Sequence, residues 1–476
     1  MDERQDFDVV VVGGGVAGLS AGVRAAELGL RTAVLEKGAG SQYLCNSRIS
    51  GGNFHIALHD PKLSKDELLT AIRNRTDGTA DPALADALSA RAGATLDWLQ
   101  GLGVKFMRTG PHEGNTWIAA PPRPLGAGSD WMGTWSGRGP DMLLRVLAQR
   151  LAQFGGTLML DARAQALVMH NGQCVGIDAI MAGRQQRLTG AAVVIADGGF
   201  PANTELLKAN ITPDPARVKQ RNAQTATGDG LRMAQACGAA TTRLDRFYGH
   251  LLSRDAMNSE QLWPYPILDD VAVAGIMVDE GGKRFVDEGY GGVYISNIVA
   301  ATAGESAVVF DANIWTGPGR AARVMPPNPN LVNAGGTMHS APTIAALAQA
   351  ARLPVDALAA TIATYNDACR RGTYDALDPP RTTRKFKAMP IETPPFYAIP
   401  ACAGITYTMG GIRIDGDARV LNTNGAPIAG LYAAGSATGG LEGTTERAFY
   451  VGGLCRASVF GKRAAEHIAE HTGRLR

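Results

Sequence analysis

Residues Val9 to Lys37 read VVVVGGGVAGLSAGVRAAELGLRTAVLEK. Four β-branched residues, Val9 to Val12, predict a short buried strand. Gly13, Gly15 and Gly18 follow at G-x-G-x-x-G spacing. Val16 to Leu28 is rich in Ala and Leu and reads as a helix, and Thr32 to Leu35 predicts a second strand that ends at Glu36. Each glycine has a physical task. Gly13 permits a tight turn, Gly15 lets a pyrophosphate approach the backbone, and Gly18 lets helix and strand pack closely. The helix start offers unpaired N–H groups and a positive dipole end to phosphates. Glu36 can accept hydrogen bonds from a ribose 2′-OH. Strand, loop, helix, strand and acid stand in the order a dinucleotide site requires.

Near the other end, Gly430 to Gly440 reads GLYAAGSATGG, and Val451 to Ile468 continues with a Gly-Gly pair and an Ala-rich helix. GLYAAG together with an N-terminal dinucleotide fold resembles FAD-binding flavoproteins, in which this short strand brings a backbone glycine to the flavin. FAD is therefore the expected cofactor.

Length and charge narrow the remaining classes. A chain of 476 residues accommodates two or three domains. A formal charge of +2 gives no electrostatic case for nucleic acid. The apolar runs are strand-sized, well short of the roughly 20 residues that span a bilayer. MDERQDFD carries charges of both signs and runs straight into the first strand, so no secretory leader is expected. Cys45, Cys174, Cys237, Cys369, Cys402 and Cys455 lack C-x-x-C spacing. That disfavours metal or cluster binding, so no metal site is expected, and it fits reduced thiols in a cytoplasm.

Along the chain, an amphipathic helix is predicted over Asp141–Phe154. Strands are predicted over Gly156–Leu160, Ala164–His170, Cys174–Met181, Gln185–Leu188 and Ala191–Gly199, with a hairpin at Asn171-Gly172. Between about 240 and 395 Pro and aromatics rise, as in WPYPILDD and VMPPNPN, which reads as an inserted domain.

Several further stretches occur in one order: NSRISGGN at 46–53, ADGGFPAN at 196–203, TGDGLRMAQACGA at 227–239, GKRFVDE at 282–288 and TMGGIRID at 408–415. With the two glycine motifs they make the whole chain resemble the fumarate reductase/succinate dehydrogenase flavoprotein superfamily, which includes tricarballylate dehydrogenase and 3-ketosteroid dehydrogenases. The resemblance implies an α/β fold: a Rossmann-like FAD-binding domain of glutathione-reductase type (1–239 and 396–476), interrupted by an α+β capping domain (240–395). It implies addition or removal of two hydrogens across a C–C bond beside a carbonyl or carboxylate. It carries FAD contacts onto Gly13, Gly15, Val16, Ala17, Gly18, Glu36 and Lys37; onto Asn46, Ser47, Ser50, Gly51 and Gly52; onto Asp197, Gly198, Thr227 and Asp229; and onto Gly435, Ser436 and Leu454.

The departures from that pattern bear on the substrate. Where fumarate reductases carry a His before the T-x-G-G turn, this chain has Tyr407. Where they carry a proton-delivering arginine after R-F-V-N-E, it has Tyr290 and Tyr294. In place of a carboxylate-gripping Arg-Leu-Gly-Gly it has Tyr450-Val451-Gly452-Gly453. Fumarate reduction is therefore not expected. A Tyr before a glycine turn resembles 3-ketosteroid dehydrogenases, which implies that the Tyr450 hydroxyl and an N–H of Gly452 or Gly453 bind a ketone oxygen. A preorganised donor of this kind supplies roughly 3 to 4 kcal/mol to a developing enolate. Candidate bases are Tyr290, Tyr294, Tyr248 and Tyr407, with His250. His250 also reads as an ordinary core or surface histidine. Arg447, beside Glu446, reads either as a carboxylate ligand, which would favour a keto acid, or as one side of a salt bridge. Cys45 lies close to where succinate dehydrogenases attach FAD; a buried unreactive thiol is the expectation here, a thioether the alternative.

The leading expectation is thus desaturation α,β to a ketone or carboxylate, with an unidentified electron acceptor. The same site also serves the reverse enoate or enone reduction. An FAD-holding electron-transfer subunit is the alternative of another class. A disulfide or ferredoxin reductase is disfavoured by the absence of a second G-x-G-x-x-G or a redox Cys pair.

Overall fold

The computed structural model describes residues 6–108, 117–122, 135–321, 325–443 and 447–472. Its strands, in chain order, are β1 (Phe7–Val12), β2 (Thr32–Leu35), β3 (Asn53–Phe54), β4 (Phe106–Met107), β5 (Trp117–Ala119), β6 (Thr157–Met159), β7 (Ala162–His170), β8 (Gln173–Met181) and β9 (Arg184–Ile195). They continue with β10 (Val218–Gln220), β11 (Phe247–Ser253), β12 (Ile276–Asp279), β13 (Ser306–Asp311), β14 (His339–Ala341), β15 (Phe396–Thr408), β16 (Arg419–Leu421) and β17 (Pro427–Ala433).

The first sheet runs β16–β17–β9–β1–β2–β6, with β7 and β8 folded antiparallel beside β9. Its middle is parallel: Val10 pairs with Ala33 on one side and Val193 on the other. A parallel strand is covered on both faces, which is why Val9–Val12 is an unbroken apolar run. The predicted strands at Gln185–Leu188 and Ala191–Gly199 are one continuous strand, β9. Gly190 between them carries no side chain to interrupt the ladder, so a polar outer half and an apolar inner half join. Asn171 and Gly172 both take positive φ (48° and 79°), as a two-residue hairpin turn demands.

Two glycine contacts position the site. A Cβ on Gly22 would lie 2.4 Å from Val34 Cγ2, so the helix Val16–Glu27 sits close on β2. A Cβ on Gly461 would lie 2.2 Å from Ala17 O, so the helix Gly453–His471 packs backbone to backbone on that first helix. The loop before residue 453 is thereby brought to the dinucleotide loop.

The second sheet has the order β10–β15–β13–β12, with β11 and β14 also on β15. Its central strand, β15, begins at Phe396 and its β10 edge lies at 218–220, so the sheet draws on residues outside 240–395. A second apolar core, including Phe310, Trp315 and Tyr365, lies against it. The architecture is a mixed α/β fold. Among the described residues no helix is long and apolar enough to cross a membrane, and no group of His, Cys, Asp or Glu could hold a metal ion.

Candidate active site: a cleft joining a glycine loop to a tyrosine cluster

One cleft runs from the tip of β1 to β11 and the loop before Gly453. At its first end, Gly13 has φ +103°, and a Cβ there would lie 2.6 Å from Ala196 O. A Cβ on Gly18 would lie 1.9 Å from Gly13 O, so Gly18 serves the turn and lies behind the cleft. Gly15 is the N-cap of the first helix, with no side-chain cap and no acidic residue in the first turn. Its missing Cβ faces only Ser47 Oγ, at 3.3 Å. Val16 N donates to that oxygen at 3.0 Å. The helix end is thus bare backbone directed at a space, as an anion site requires.

Glu36 is 6% exposed and accepts from Gly14 N at 2.8 Å and Gly38 N at 2.7 Å. Its carboxylate is held by its own loop, yet it still lines the cleft with acceptor capacity to spare. Lys37 Nζ donates to Thr227 Oγ1 (2.9 Å) and Asp229 Oδ2 (3.2 Å), so Thr227 stands behind Lys37 and Asp229. Asp197 Oδ2 accepts from Gly230 N at 2.7 Å, and burial pushes this carboxyl up to about 7. Asn46 ties the cleft together, accepting from Ala223 N (2.8 Å) and donating to Thr406 O (3.2 Å). Ser50 bonds back to Ser47 O at 2.8 Å, presenting Gly51 and Gly52 along the wall. Val16, Ala17, Gly198, Gly435, Ser436 and Leu454 also line it. Cys45 lines the cleft too, and burial pushes its thiol up to about 11, which keeps it neutral.

The other end is aromatic. Tyr248 comes from β11 and Tyr407 from β15, where the two face each other across the ladder. Tyr450 comes from the loop before the last helix. Tyr248 and Tyr450 stack at 4.2 Å and 18°, and Tyr248 and Tyr407 lie 5.2 Å apart. Burial raises all three phenols, so each stays protonated. Gly453, three residues on, also lines the cleft and is the first residue of the last helix. Gly452 does not line the cleft; its N–H is directed at Glu442 Oε1 (3.3 Å).

Glu442 is fully buried and organises this end. It accepts from Tyr407 Oη (2.9 Å) and Val451 N (2.8 Å) and pairs with Arg456 Nη1 (3.1 Å), itself 1% exposed. His250 also lines the cleft, with Nε2 3.1 Å from Tyr248 Oη and Nδ1 2.7 Å from Asp269 Oδ2.

Three expected residues form a separate cluster away from the cleft lining. Arg447 bonds Asp77 at 3.0 Å and lies over the Tyr290 ring at 4.0 Å, and Tyr290 meets Tyr294 edge-on at 5.1 Å. The salt-bridge reading of Arg447 is the one that agrees with this geometry. Its neighbour Glu446 lies outside the described residues.

Sequence reasoning missed Glu442, Arg456, Asp269, Tyr265 and Arg221. Arg221 is 9% exposed, lines the cleft, and bonds Thr406 Oγ1 (2.9 Å) and Pro264 O (3.1 Å). Only Gly404 hints at it: a Cβ there would lie 2.4 Å from Arg221 Cδ.

The chain matches the family model for the FAD binding domain over residues 8–448. It is 29% identical over 401 residues to an NADH:acrylate oxidoreductase of Vibrio harveyi, covering 81% of this chain and 37% of that protein. A vinyl phenol reductase of Lactiplantibacillus plantarum is 27% identical over 504 residues, covering 99% of this chain and 98% of the relative. A probable fumarate reductase of Shewanella frigidimarina, Ifc3, is 27% identical over 97% of this chain and 75% of its own. Among solved structures, a 3-ketosteroid delta1-dehydrogenase from Sterolibacterium denitrificans shares the fold, with TM-score 0.72 at 21% identity, covering 98% of this chain and 99% of that one. The chain belongs to the FAD-binding domain family and is an FAD-dependent oxidoreductase of the fumarate reductase/succinate dehydrogenase flavoprotein superfamily.

Proposed function

We propose that the protein desaturates a C–C bond α,β to a ketone, and that one cleft holds both FAD and substrate beneath a capping domain. The observation that carries this reading is that Tyr450 and Gly453, at the start of the last helix, line the same cleft as the open helix end at Gly15. FAD fits the first end. The Gly15–Ala17 backbone would meet its pyrophosphate and Glu36 its adenosine ribose, with Ser47, Asp197 and Gly435 along its length. Bound there, FAD supplies the acceptor for the hydride that leaves the β-carbon.

The remaining chemistry belongs to the chain. Loss of the α-proton builds charge on the ketone oxygen. Tyr450 Oη–H and Gly453 N–H are two donors that can converge on such an oxygen, and both strengthen as charge develops. Because burial keeps the phenol protonated, Tyr450 acts as donor rather than base. Glu442 fixes the loop that presents both groups. A carboxylate on the substrate would meet Arg221, since Arg447 points to Asp77 outside the cleft. With Arg221 the one cleft arginine at the tyrosine end among the described residues, a dicarboxylate such as fumarate is poorly gripped.

The reverse reaction, enone reduction, uses the same groups and is the second reading, favoured by the acrylate and vinyl phenol reductases among the relatives. The test is spectral. Oxidised holoenzyme should bleach anaerobically with cyclohexanone or 4-oxocyclohexanecarboxylate, or reduced holoenzyme should reoxidise with 2-cyclohexenone. Rapid reoxidation by fumarate, with no response to any of these ketones, would refute the ketone reading.

A further inference from the structure

We infer that Asp269, His250 and Tyr248 form a proton relay, and that the Tyr248 hydroxyl exchanges the proton with the substrate carbon beside the carbonyl. This rests on the reading of the site as acting next to a ketone. Tyr248 and His250 are two residues apart on β11, so both side chains face the cleft. Opposite the Tyr248–Gly249 step, β15 carries an extra residue, Thr406, which bulges the ladder there. Gly404, opposite His250, leaves the imidazole without a facing side chain on β15.

The hydrogen bonds run in one direction. Asp269 Oδ1 accepts from Leu251 N at 2.9 Å, which fixes the carboxylate. Asp269 Oδ2 lies 2.7 Å from His250 Nδ1. A carboxylate only accepts, so Nδ1 carries the hydrogen and the Nε2 lone pair faces Tyr248 Oη at 3.1 Å. Gly292 makes room for this arrangement, since a Cβ there would lie 2.0 Å from Asp269 Cγ. The GYGG stretch that lacks the family's arginine is thus where Asp269 enters.

Two of the other described cleft tyrosines are committed elsewhere, and the third, Tyr265, has Arg221 over its ring at 5.9 Å. Tyr407 donates to Glu442, whose oxygens already hold Arg456 and two backbone N–H groups. Tyr450 stacks on Tyr248 and lines the cleft with Gly453, the pair assigned above to the carbonyl oxygen. Among the described cleft tyrosines, Tyr248 is the one whose hydroxyl meets an imidazole nitrogen, His250 Nε2. Its phenol is held high chiefly by burial, with Tyr450, Tyr265 and Asp269 adding and Arg221 opposing. A stable tyrosinate is therefore not the route; Tyr248 must give up its own proton as it receives one.

In the dehydrogenation direction the substrate Cα–H bond breaks. Its proton passes to Tyr248 Oη while the original hydroxyl proton passes to His250 Nε2. The Cα–H electron pair forms the enolate, whose oxygen is held at Tyr450 and Gly453. As it collapses to the enone, the β-hydrogen leaves with its electron pair to FAD, the oxidant of the proposed reaction. Asp269 faces the imidazolium so formed. Enone reduction runs the same proton outward. Asp269 does not touch the substrate in this scheme and is a positioning residue.

Anaerobic holoenzyme in D₂O with cyclohexanone as probe tests the relay, reading deuterium incorporation beside the carbonyl by NMR and flavin bleaching. Tyr248→Phe should slow both by about 10²- to 10⁴-fold at unchanged FAD content. Asp269→Asn should lower kcat at least about tenfold with KM nearly unchanged, and Asp269→Glu should recover part of the loss. In ¹⁵N-histidine spectra of resting holoenzyme, His250 should carry its hydrogen on Nδ1 in the wild type and lose that tautomer in Asp269→Asn, independent of turnover. Wild-type exchange and turnover in Tyr248→Phe would overturn the relay, as would a wild-type His250 hydrogen on Nε2. Loss in Tyr248→Phe with full activity in Tyr450→Phe would instead remove the ketone-oxygen reading and leave the relay standing.

Discussion

At the dinucleotide end of the cleft the chain works with bare backbone, and at the tyrosine end it works with side chains held by other side chains. The first end is built by neighbours in sequence: one strand, one turn and one helix start, with Glu36 a single strand further on. The second is assembled from β11, β15 and the loop before the last helix, locked by a buried ion pair between Glu442 and Arg456. A backbone site depends on what is absent from its residues. A side-chain site depends on partners that lie far away in the chain.

That contrast predicts different failures. Gly18→Val should have the largest effect. Its Cβ would lie 1.9 Å from Gly13 O, a backbone atom that cannot turn aside, so folded protein should be lost from soluble expression. Gly15→Val should leave the fold intact, because among the described residues its Cβ would meet only Ser47 Oγ, at 3.3 Å, but should abolish FAD retention. Gel filtration with flavin absorbance separates the two results. Equal behaviour of the two variants would break the distinction between fold glycine and cofactor glycine.

At the tyrosine end, Arg456→Ala leaves the Glu442 charge buried with one partner fewer. It should cost about 3–5 kcal/mol in denaturant unfolding of the holoenzyme, the usual penalty for breaking a buried pair. His55 supplies a pH test of the same region. It packs edge-on against Tyr450 at 5.0 Å, and its Nδ1 accepts from Leu58 N at 3.1 Å. Burial, with Arg75 and His59 adding, pushes it down to about 3 from 6.5. The unfolded chain therefore takes up a proton below about 6.5 that the folded chain declines, and stability falls as pH drops from there towards 3. The slope contributed should approach about 1.4 kcal/mol per pH unit. His55→Gln should flatten it. Arg447→Ala should do least: its bridge to Asp77 is half exposed and outside the cleft lining, so stability should change by less than about 1 kcal/mol, with turnover preserved.

The same contrast explains what was legible in the sequence. Strand, turn and helix at residues 7–27 follow from local pattern, and Gly13, Gly15 and Glu36 stand where that pattern puts them. Tyr450, Tyr407, Tyr248 and His250 were reachable through the resemblance and do meet in one cleft. Tyr290 and Tyr294, expected from the same resemblance, lie with Arg447 outside the cleft lining, because position along the chain does not say which way a side chain faces. Glu442 and Arg456 carry no spacing signal at all. Their pairing exists only once the last helix has packed on the first. Asp269 carries no local signal either; its bond to His250 depends on a glycine 23 positions on and on a strand before it.

In the proposed reaction Tyr450 and Gly453 hold a substrate carbonyl oxygen beside bound FAD. The most direct test compares wild type and Tyr450→Phe in one anaerobic flavin-reduction experiment with cyclohexanone and 4-oxocyclohexanecarboxylate, scoring FAD content on the same preparations. Removing one hydroxyl leaves the ring stacked on Tyr248 at 4.2 Å, so folding and FAD content should stay the same. The account predicts a fall in the reduction rate constant of about ten- to a thousandfold, the range expected for losing one donor to a developing enolate. A variant that reduces its flavin at the wild-type rate, with the same KM, would contradict it.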